Sequence, residues 1–231
     1  MAVYKNTAIA AAVALACIAP ARAEESWFNF EAATGESFFQ TQGDNTWYQA
    51  RFPHTLNLLF GAFEVGFTGP ITPWLSWHAD YAYLGHPSSD ATATPSDLNY
   101  NPKSVTGCNG QCWPMSRFIG HGNLNGIILS MEPHYDIGHW RFGVEAGPML
   151  YFPTWSETVY NWRPAIDSAP STIRVHNDTG MRLGAMAGAS IGYKRVSIVY
   201  QYFWDKSPAT SHNPYPPIWK GTHVILLRYR F

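Results

Sequence analysis

Charge is scarce in this 231-residue sequence: only 13% of residues are Asp, Glu, Lys or Arg. A soluble domain usually carries about 25%. Neither sign prevails, with 15 Lys and Arg against 16 Asp and Glu. The basic stripe of a nucleic-acid binder is therefore missing, and no nucleic-acid partner is expected. Cysteine is nearly absent as well, at three residues. Past residue 23 no apolar run approaches the length of a membrane-spanning helix. What the chain has in quantity is aromatic side chains, 16% of the total and including 10 Trp, within a hydrophobic fraction of 46%. That content excludes a disordered chain, which needs low hydrophobicity and high net charge.

The first 23 residues read as an export signal. Lys5 gives a weakly positive start, an alanine-rich apolar run spans 7–19, and Ala21-Arg22-Ala23 offers the small residues that precede cleavage. Leu15-Ala16-Cys17 resembles the end of a lipobox, but Ala14 replaces the expected Leu or Val, and cleavage after Ala23 is the expectation. The mature domain then spans 24–231, with 13 basic and 16 acidic residues and a net charge of about −3. Cleavage leaves Cys108 and Cys112, which in an exported protein most simply form a disulfide. A metal reading of that pair lacks further ligands beyond His121.

The rest of the chain alternates with period two, the β signature. Trp140, Phe142, Val144, Ala146, Pro148 and Leu150 share one face of a segment whose other face holds Arg141, Gly143, Glu145, Gly147, Met149 and Tyr151. Eight such segments are expected at 26–39, 55–67, 74–84, 123–135, 140–152, 178–192, 196–204 and 222–231. Short turns at 68–73, 136–139 and 193–195 alternate with long loops at 40–54, 85–122, 153–177 and 205–221. That is the plan of an all-β, eight-stranded antiparallel up-and-down transmembrane β-barrel with long extracellular loops. In lipid such a sheet must close, since an open edge leaves backbone groups unpaired.

A secreted sandwich or lipocalin-like barrel would turn its apolar faces inward. Here the expected outward face carries Leu59, Phe63, Val65, Phe67, Leu75, Trp77, Tyr81, Tyr83, Ile127, Leu129 and Met131. It continues with Val196, Ile198, Tyr200, Tyr202 and Trp204. The opposite face carries Glu31, Glu64, His78, Asp80, Glu132, His134, Arg141, Glu145, Arg182, Gln201, Arg228 and Arg230, with no lysine. Arginine without lysine suits a dehydrated, ion-paired interior. Pro133 and Pro148 fall on the lipid face and cannot donate to the ladder, so either a register shift or a local break is expected there.

The signal peptide, the eight alternating strands and the last strand, His223-Val-Ile-Leu-Leu-Arg-Tyr-Arg-Phe231, together resemble the small OmpA/OmpX-type outer-membrane barrels. The resemblance is architectural and rests on no subfamily motif. It implies residence in the Gram-negative outer membrane among lipid and lipopolysaccharide, both termini in the periplasm and the long loops outside. It also implies that Leu227, Tyr229 and Phe231 form the signal read by the barrel-assembly machinery.

An eight-stranded lumen holds side chains or one small ligand, which excludes an open diffusion pore. Apart from Arg182 and Gln201, these polar residues fall toward the periplasmic half, five acids against three arginines and two histidines, and read as an ion-paired plug. Glu132-Pro133-His134 beside His78-Ala79-Asp80 also suits a divalent metal or acid/base chemistry, a lesser reading at that depth. Lipid A-modifying enzymes on such barrels use His with Ser, Asp or Glu. Ser116 with His121, Ser171 with His176, and Ser211-His212-Asn213 are the loop residues of that type, none in the deacylase order. A narrow solute conduit is the remaining alternative. The loops carry Trp113, Phe118, Trp155, Tyr160, Trp162, Tyr215 and Trp219, expected either to contact a protein or glycan or to pack on one another. Arg117, Arg163, Arg174 and Lys220 are placed to meet lipopolysaccharide phosphates. No cofactor is implied, and a monomeric protein without enzymatic activity, acting through its surface loops, is the expectation.

Overall fold

The computed structural model describes residues 27–41, 54–57, 59–93, 115–163, 168–178, 180–205 and 219–231. The export signal, Cys108, Cys112, Trp113, Tyr215 and Ser211-His212-Asn213 lie outside the described residues. Among the described residues there are eleven strands: β1 (Asn29–Thr41), β2 (His54–Asn57), β3 (Leu59–Thr72), β4 (Leu75–Gly85), β5 (Ser88–Ala93) and β6 (Ser116–Ile137). They continue with β7 (Trp140–Trp162), β8 (Ser171–Asp178), β9 (Arg182–Tyr193), β10 (Val196–Trp204) and β11 (Trp219–Arg230).

Eight of them form a closed antiparallel ring, β1-β3-β4-β6-β7-β9-β10-β11 and back to β1. Closure joins the first strand to the last, pairing Glu31 with Arg230 and Ala33 with Arg228, and the Phe231 amide donates to the Phe30 carbonyl at 2.9 Å. The ring therefore has no free edge along its length, which is what hydrocarbon demands. Two-residue turns at 73–74, 138–139 and 194–195 lie at the end that holds the termini, here called the turn end. Gly138 and Lys194 take positive φ in the last two of these, as tight hairpins require.

The alternation expected from the sequence holds on every ring strand, with the apolar face outward. On β3, Leu59, Phe63, Val65 and Phe67 are exposed while Phe60, Ala62 and Glu64 are buried. A large exposed apolar surface around a buried charged interior is stable only where the surroundings are lipid.

Pro133 and Pro148 both face outward along the β6–β7 seam. The register runs without a shift from Arg117 opposite Tyr160 to Ile137 opposite Trp140. The ladder is interrupted between Ile128–Met149, Met131–Ala146 and His134–Gly143, beside the two prolines that lack an N–H. The outcome is a local break and no register shift.

The ring strands outrun the expected boundaries at the other end, here called the loop end. β6 has 22 residues and β7 has 23, against segments expected at 123–135 and 140–152. About 9–11 residues of a tilted strand cross a bilayer, so roughly half of each stands beyond it. The outward face of β6 records the crossing point: Ile127, Leu129 and Met131 give way to Asn125, Asn123, His121 and Arg117. β5 continues the line of β4 after Gly85, whose φ of 111° turns the chain, and β8 precedes β9 in the same way. With β2 on β5, the strands β2-β5-β6-β7-β8 make a five-stranded half-wall above the rim. Parts of the segments 85–122 and 153–177 are thus ordered sheet and not loop.

Candidate functional site: the charged lumen

All eight ring strands send a polar side chain into one layer of the lumen near the turn end. β11 supplies Arg228 and Arg230, β1 Glu31, β3 Glu64, β4 His78 and Asp80, β6 Ser130 and Glu132, β7 Glu145, β9 Ser190 and β10 Gln201. Arg228 is the hub, and its side chain is 1% exposed. Its Nη1 donates to Glu145 Oε2 at 3.1 Å, its Nη2 to Glu64 Oε2 at 3.3 Å, and its Nε lies 4.0 Å from Glu31 Oε2. With its amide oriented to satisfy both neighbours, Gln201 donates to Glu64 Oε1 at 2.8 Å and accepts from Arg228 Nη2 at 3.2 Å. Arg230 donates to Glu132 Oε2 at 2.8 Å and approaches Glu31 Oε2 at 3.6 Å.

His78 bridges two carboxylates, with Nδ1 2.5 Å from Glu31 Oε1 and Nε2 3.2 Å from Glu132 Oε2. Both ring nitrogens face acceptors, so in this arrangement the imidazole donates twice and is positively charged. Serines complete the layer: Ser190 donates to Glu132 Oε1 at 2.6 Å and Ser130 to Glu145 Oε1 at 2.5 Å. Gly143 makes room, since a Cβ there would collide with Glu132 Oε1 and Ser190 Oγ.

Five buried carboxylates (Glu31, Glu64, Asp80, Glu132 and Glu145) thus face Arg228, Arg230 and one imidazolium, a net of −2 by counting these groups as charged. Asp80 stands apart from the pairing. It is 2% exposed, and among the described residues neither carboxylate oxygen has a hydrogen-bond partner.

Three residues expected in this network do not join it. Arg141 leans to the turn-end rim, where Nε and Nη2 donate to Asp136 at 2.9 and 3.0 Å. Those bonds, outside the bilayer, hold Asp136 below the usual aspartate value despite partial burial. His134 turns Nδ1 to the Glu132 carbonyl at 3.1 Å and Nε2 toward Asp136 at 3.9 Å, away from His78. Arg182 opens β9 at the loop end, opposite Tyr151 and a full strand away from the charged layer. Parity put these residues on the inner face but carries no information about depth or reach. Gln201 joins the layer from the face expected of it, whereas Ser130 and Ser190, which sequence reasoning missed, share the parity of the acids, and that parity was the available signal.

Above the charged layer the lumen is mostly apolar, with Asp205 buried there and accepting from Thr222 at 2.8 Å. Leu84, Leu124, Ile128, Met149, Met186, Val199, Phe203, Val224 and Leu226 are buried in one cluster. Aromatic rings close it: Trp219 meets Phe39 at 5.3 Å and Trp155 at 6.1 Å, edge-on in both cases. Phe118, Trp155 and Trp219 were among the candidates for surface contact, and all three are buried, at 1%, 2% and 0% exposure. They pack inward because the half-wall continues the inward alternation beyond the membrane, where water, not lipid, covers the other face. Tyr160 is exposed and Trp162 half-buried. Trp155 Nε1 donates to Glu157 Oε2 at 2.9 Å, while burial pushes Glu157 above the usual glutamate value. Leu227 is exposed, and Tyr229 and Phe231, half-exposed, meet edge-on at 4.9 Å beside Phe30.

Ser116 is buried and donates to the Asn161 carbonyl at 3.1 Å, whereas His121 is exposed on the opposite face of β6. The two do not form a catalytic pair. Ser171 donates to the Trp162 carbonyl at 3.1 Å, and the His176 side chain lies outside what the structure describes.

No family model and no curated protein sequence matches the chain. Two crystal structures of Ail, the attachment invasion locus protein of Yersinia pestis, are similar to it in fold. One is 12% identical; the other, in complex with the heparin analogue sucrose octasulfate, is 11% identical. Each comparison covers 88% of this chain and 97% of that chain, with a TM-score of 0.37. At that score the superposition is loose, and the barrel described here stands on its own ring of strands and its burial pattern.

Proposed function

We propose that the protein resides in the Gram-negative outer membrane, termini and short turns in the periplasm, and presents its half-wall and loops at the cell surface as a contact platform. In this reading the charged layer and the aromatic layer close the lumen, so the barrel is a monomeric, non-conducting, non-enzymatic scaffold. The observation that carries the reading is the half-wall itself: a stiff sheet above the bilayer with a polar outward face gives recognition residues a fixed position. The cations at the loop end, two on the half-wall and Arg163 and Lys220 beside it, are unequal in availability. Arg117 is held by Asp90 through bonds of 2.9 and 2.6 Å, and Arg163 donates to the Ser168 carbonyl at 2.7 Å. Arg174 and Lys220 are exposed and serve better for the phosphates or sulfates of a glycan.

The test uses refolded protein in lipid nanodiscs, with lipopolysaccharide and a sulfated polysaccharide as probes. Arg174→Ala with Lys220→Ala is expected to weaken binding at low salt, and Arg117→Ala to do less. Replacing 94–114 by a four-residue Gly-Asn-Gly-Ser linker leaves the paired Ala93 and Ser116 joined by a loop long enough to turn, and tests the loop without breaking the wall. Binding unchanged both in the Arg174→Ala, Lys220→Ala double variant and in the loop variant contradicts the platform. Step-like conductance in planar bilayers contradicts the closed lumen, and an altered lipid A acyl pattern in expressing cells contradicts the non-enzymatic reading.

A further inference from the structure

We propose that Glu31, His78 and Asp80 form a buried site for a first-row divalent cation of the zinc or manganese class, set within the charged layer. One donor atom from each of the three lies within 4.8 Å of the others, and all three residues are buried. A cation about 2.0–2.2 Å from each donor holds the donors about 3.0–3.5 Å apart, so binding parts His78 Nδ1 from Glu31 Oε1, which lie 2.5 Å apart here, and draws the Asp80 carboxylate in.

Four features point to an ion over a simple ion-pair plug. Asp80 is the first: a carboxylate that is 2% exposed with both oxygens unpartnered is costly unless something binds it. Glu31 Oε2 likewise lacks a hydrogen bond. Arg228 and Arg230 donate to Glu64, Glu145 and Glu132 and stand off Glu31 Oε2 at 4.0 and 3.6 Å, and neither hydrogen-bonds Asp80.

The second feature is the orientation of His78. Its Nε2 is fixed by Glu132, which leaves Nδ1 on the side of Glu31. A carboxylate on the far nitrogen is how metal-binding histidines are held and made basic. Gly66 is the third feature. It sits opposite Asp80 in register, and a Cβ there would strike Asp80 Oδ1 and the Ala79 carbonyl, so the wall is cleared where the carboxylate stands.

Charge is the fourth. Counted with every group ionised, the layer's net of −2 falls to −1 when a divalent ion replaces the Nδ1 proton, which is released to solvent. One imidazole with carboxylates suits zinc, manganese or iron(II), whereas calcium and magnesium prefer oxygen ligands alone. A narrow cleft lined by Glu132, Ser190, Lys194, Arg195 and Arg230 reaches the layer from the turn end.

The experiment refolds the full mature chain into detergent with chelator present and then dialyses it against zinc chloride or manganese chloride. Metal per folded chain is counted by mass spectrometry, the folded fraction being read from gel mobility. The expected result is about one zinc per wild-type chain, lost in Asp80→Asn and His78→Gln and kept in His121→Gln, a surface control. Zinc is expected to raise the thermal midpoint of the wild type and to leave Asp80→Asn unmoved. Bound manganese gives a second readout, a broadened paramagnetic resonance spectrum in the wild type only. Asp80→Asn removes an unpartnered charge with little change of shape, so it is expected to fold, and His78→Gln is scored per folded chain. A wild type that takes up no metal overturns the proposal. So does undiminished binding in Asp80→Asn, which assigns the ion to surface histidines. Neither outcome bears on the surface-platform reading, which the lipopolysaccharide and polysaccharide assays decide separately.

Discussion

Replacing Arg228 by Met keeps most of the side chain's volume and removes its charge. In the wild type the guanidinium lies 3.1 Å from Glu145, 3.3 Å from Glu64 and 4.0 Å from Glu31, and it is all but fully buried. Breaking a buried pair by deleting one partner costs about 3–5 kcal/mol, because the abandoned carboxylates remain out of water. With three acids around one cation, Arg228→Met is expected at the upper part of that range. Urea unfolding from lipid vesicles, followed by gel mobility and tryptophan fluorescence, reads the loss. At a denaturant slope of about 2 kcal/mol per molar urea, the midpoint falls by about 2 M. Adding Glu64→Gln and Glu145→Gln to Arg228→Met removes the orphaned charges and is expected to restore most of the stability. With chelator present, Asp80→Asn is expected to be neutral or stabilising, since that carboxylate has no partner to lose. A cost below about 1 kcal/mol for Arg228→Met, or a triple variant as unstable as the single, refutes the reasoning.

Two further outcomes follow from the wall and its rim. Gly147 faces the lumen at the seam, where a Cβ would strike the Leu129 carbonyl and lie 2.6 Å from Ser130 Cα, whereas Gly61 has nothing within 4 Å. Gly147→Ala is expected to cost about 1–3 kcal/mol in the same unfolding assay and Gly61→Ala to cost little; equal effects refute the packing argument. The Arg117 bonds to Asp90 hold that carboxyl below the usual aspartate value, despite some desolvation. A lowered folded pKa contributes stability that is present above the ordinary aspartate value and fades as pH falls through the folded one. Arg117→Gln is therefore expected to move Asp90 titration upward in carbon-detected NMR, and an unmoved curve shows that the pair does not persist in solution.

Period-two alternation made the ring legible because lipid and lumen sort side chains by a single rule, and β10 falls where its alternation places it, at Val196–Trp204. The half-wall escaped because the rule inverts above the bilayer. In Arg117-Phe118-Ile119-Gly120-His121 the polar side chains turn outward and Phe118 turns in, so the same strand reads as a polar loop. The charged layer was legible by face. Which acids would meet Arg228, and that Asp80 would be left without a partner, depended on shear between strands far apart in sequence, such as Glu64 and Arg228. Arg141 and Arg182 shared the face and lacked the depth.

The central claim is that this sheet turns its apolar side chains to lipid and its charges inward. Spin labels placed one at a time along 59–67 of the lipid-reconstituted protein test it, with oxygen accessibility measured by electron paramagnetic resonance on the folded fraction. The account predicts high accessibility at Leu59, Phe63, Val65 and Phe67 and low accessibility at Phe60, Ala62 and Glu64. A flat profile, or one with the two sets exchanged, contradicts it.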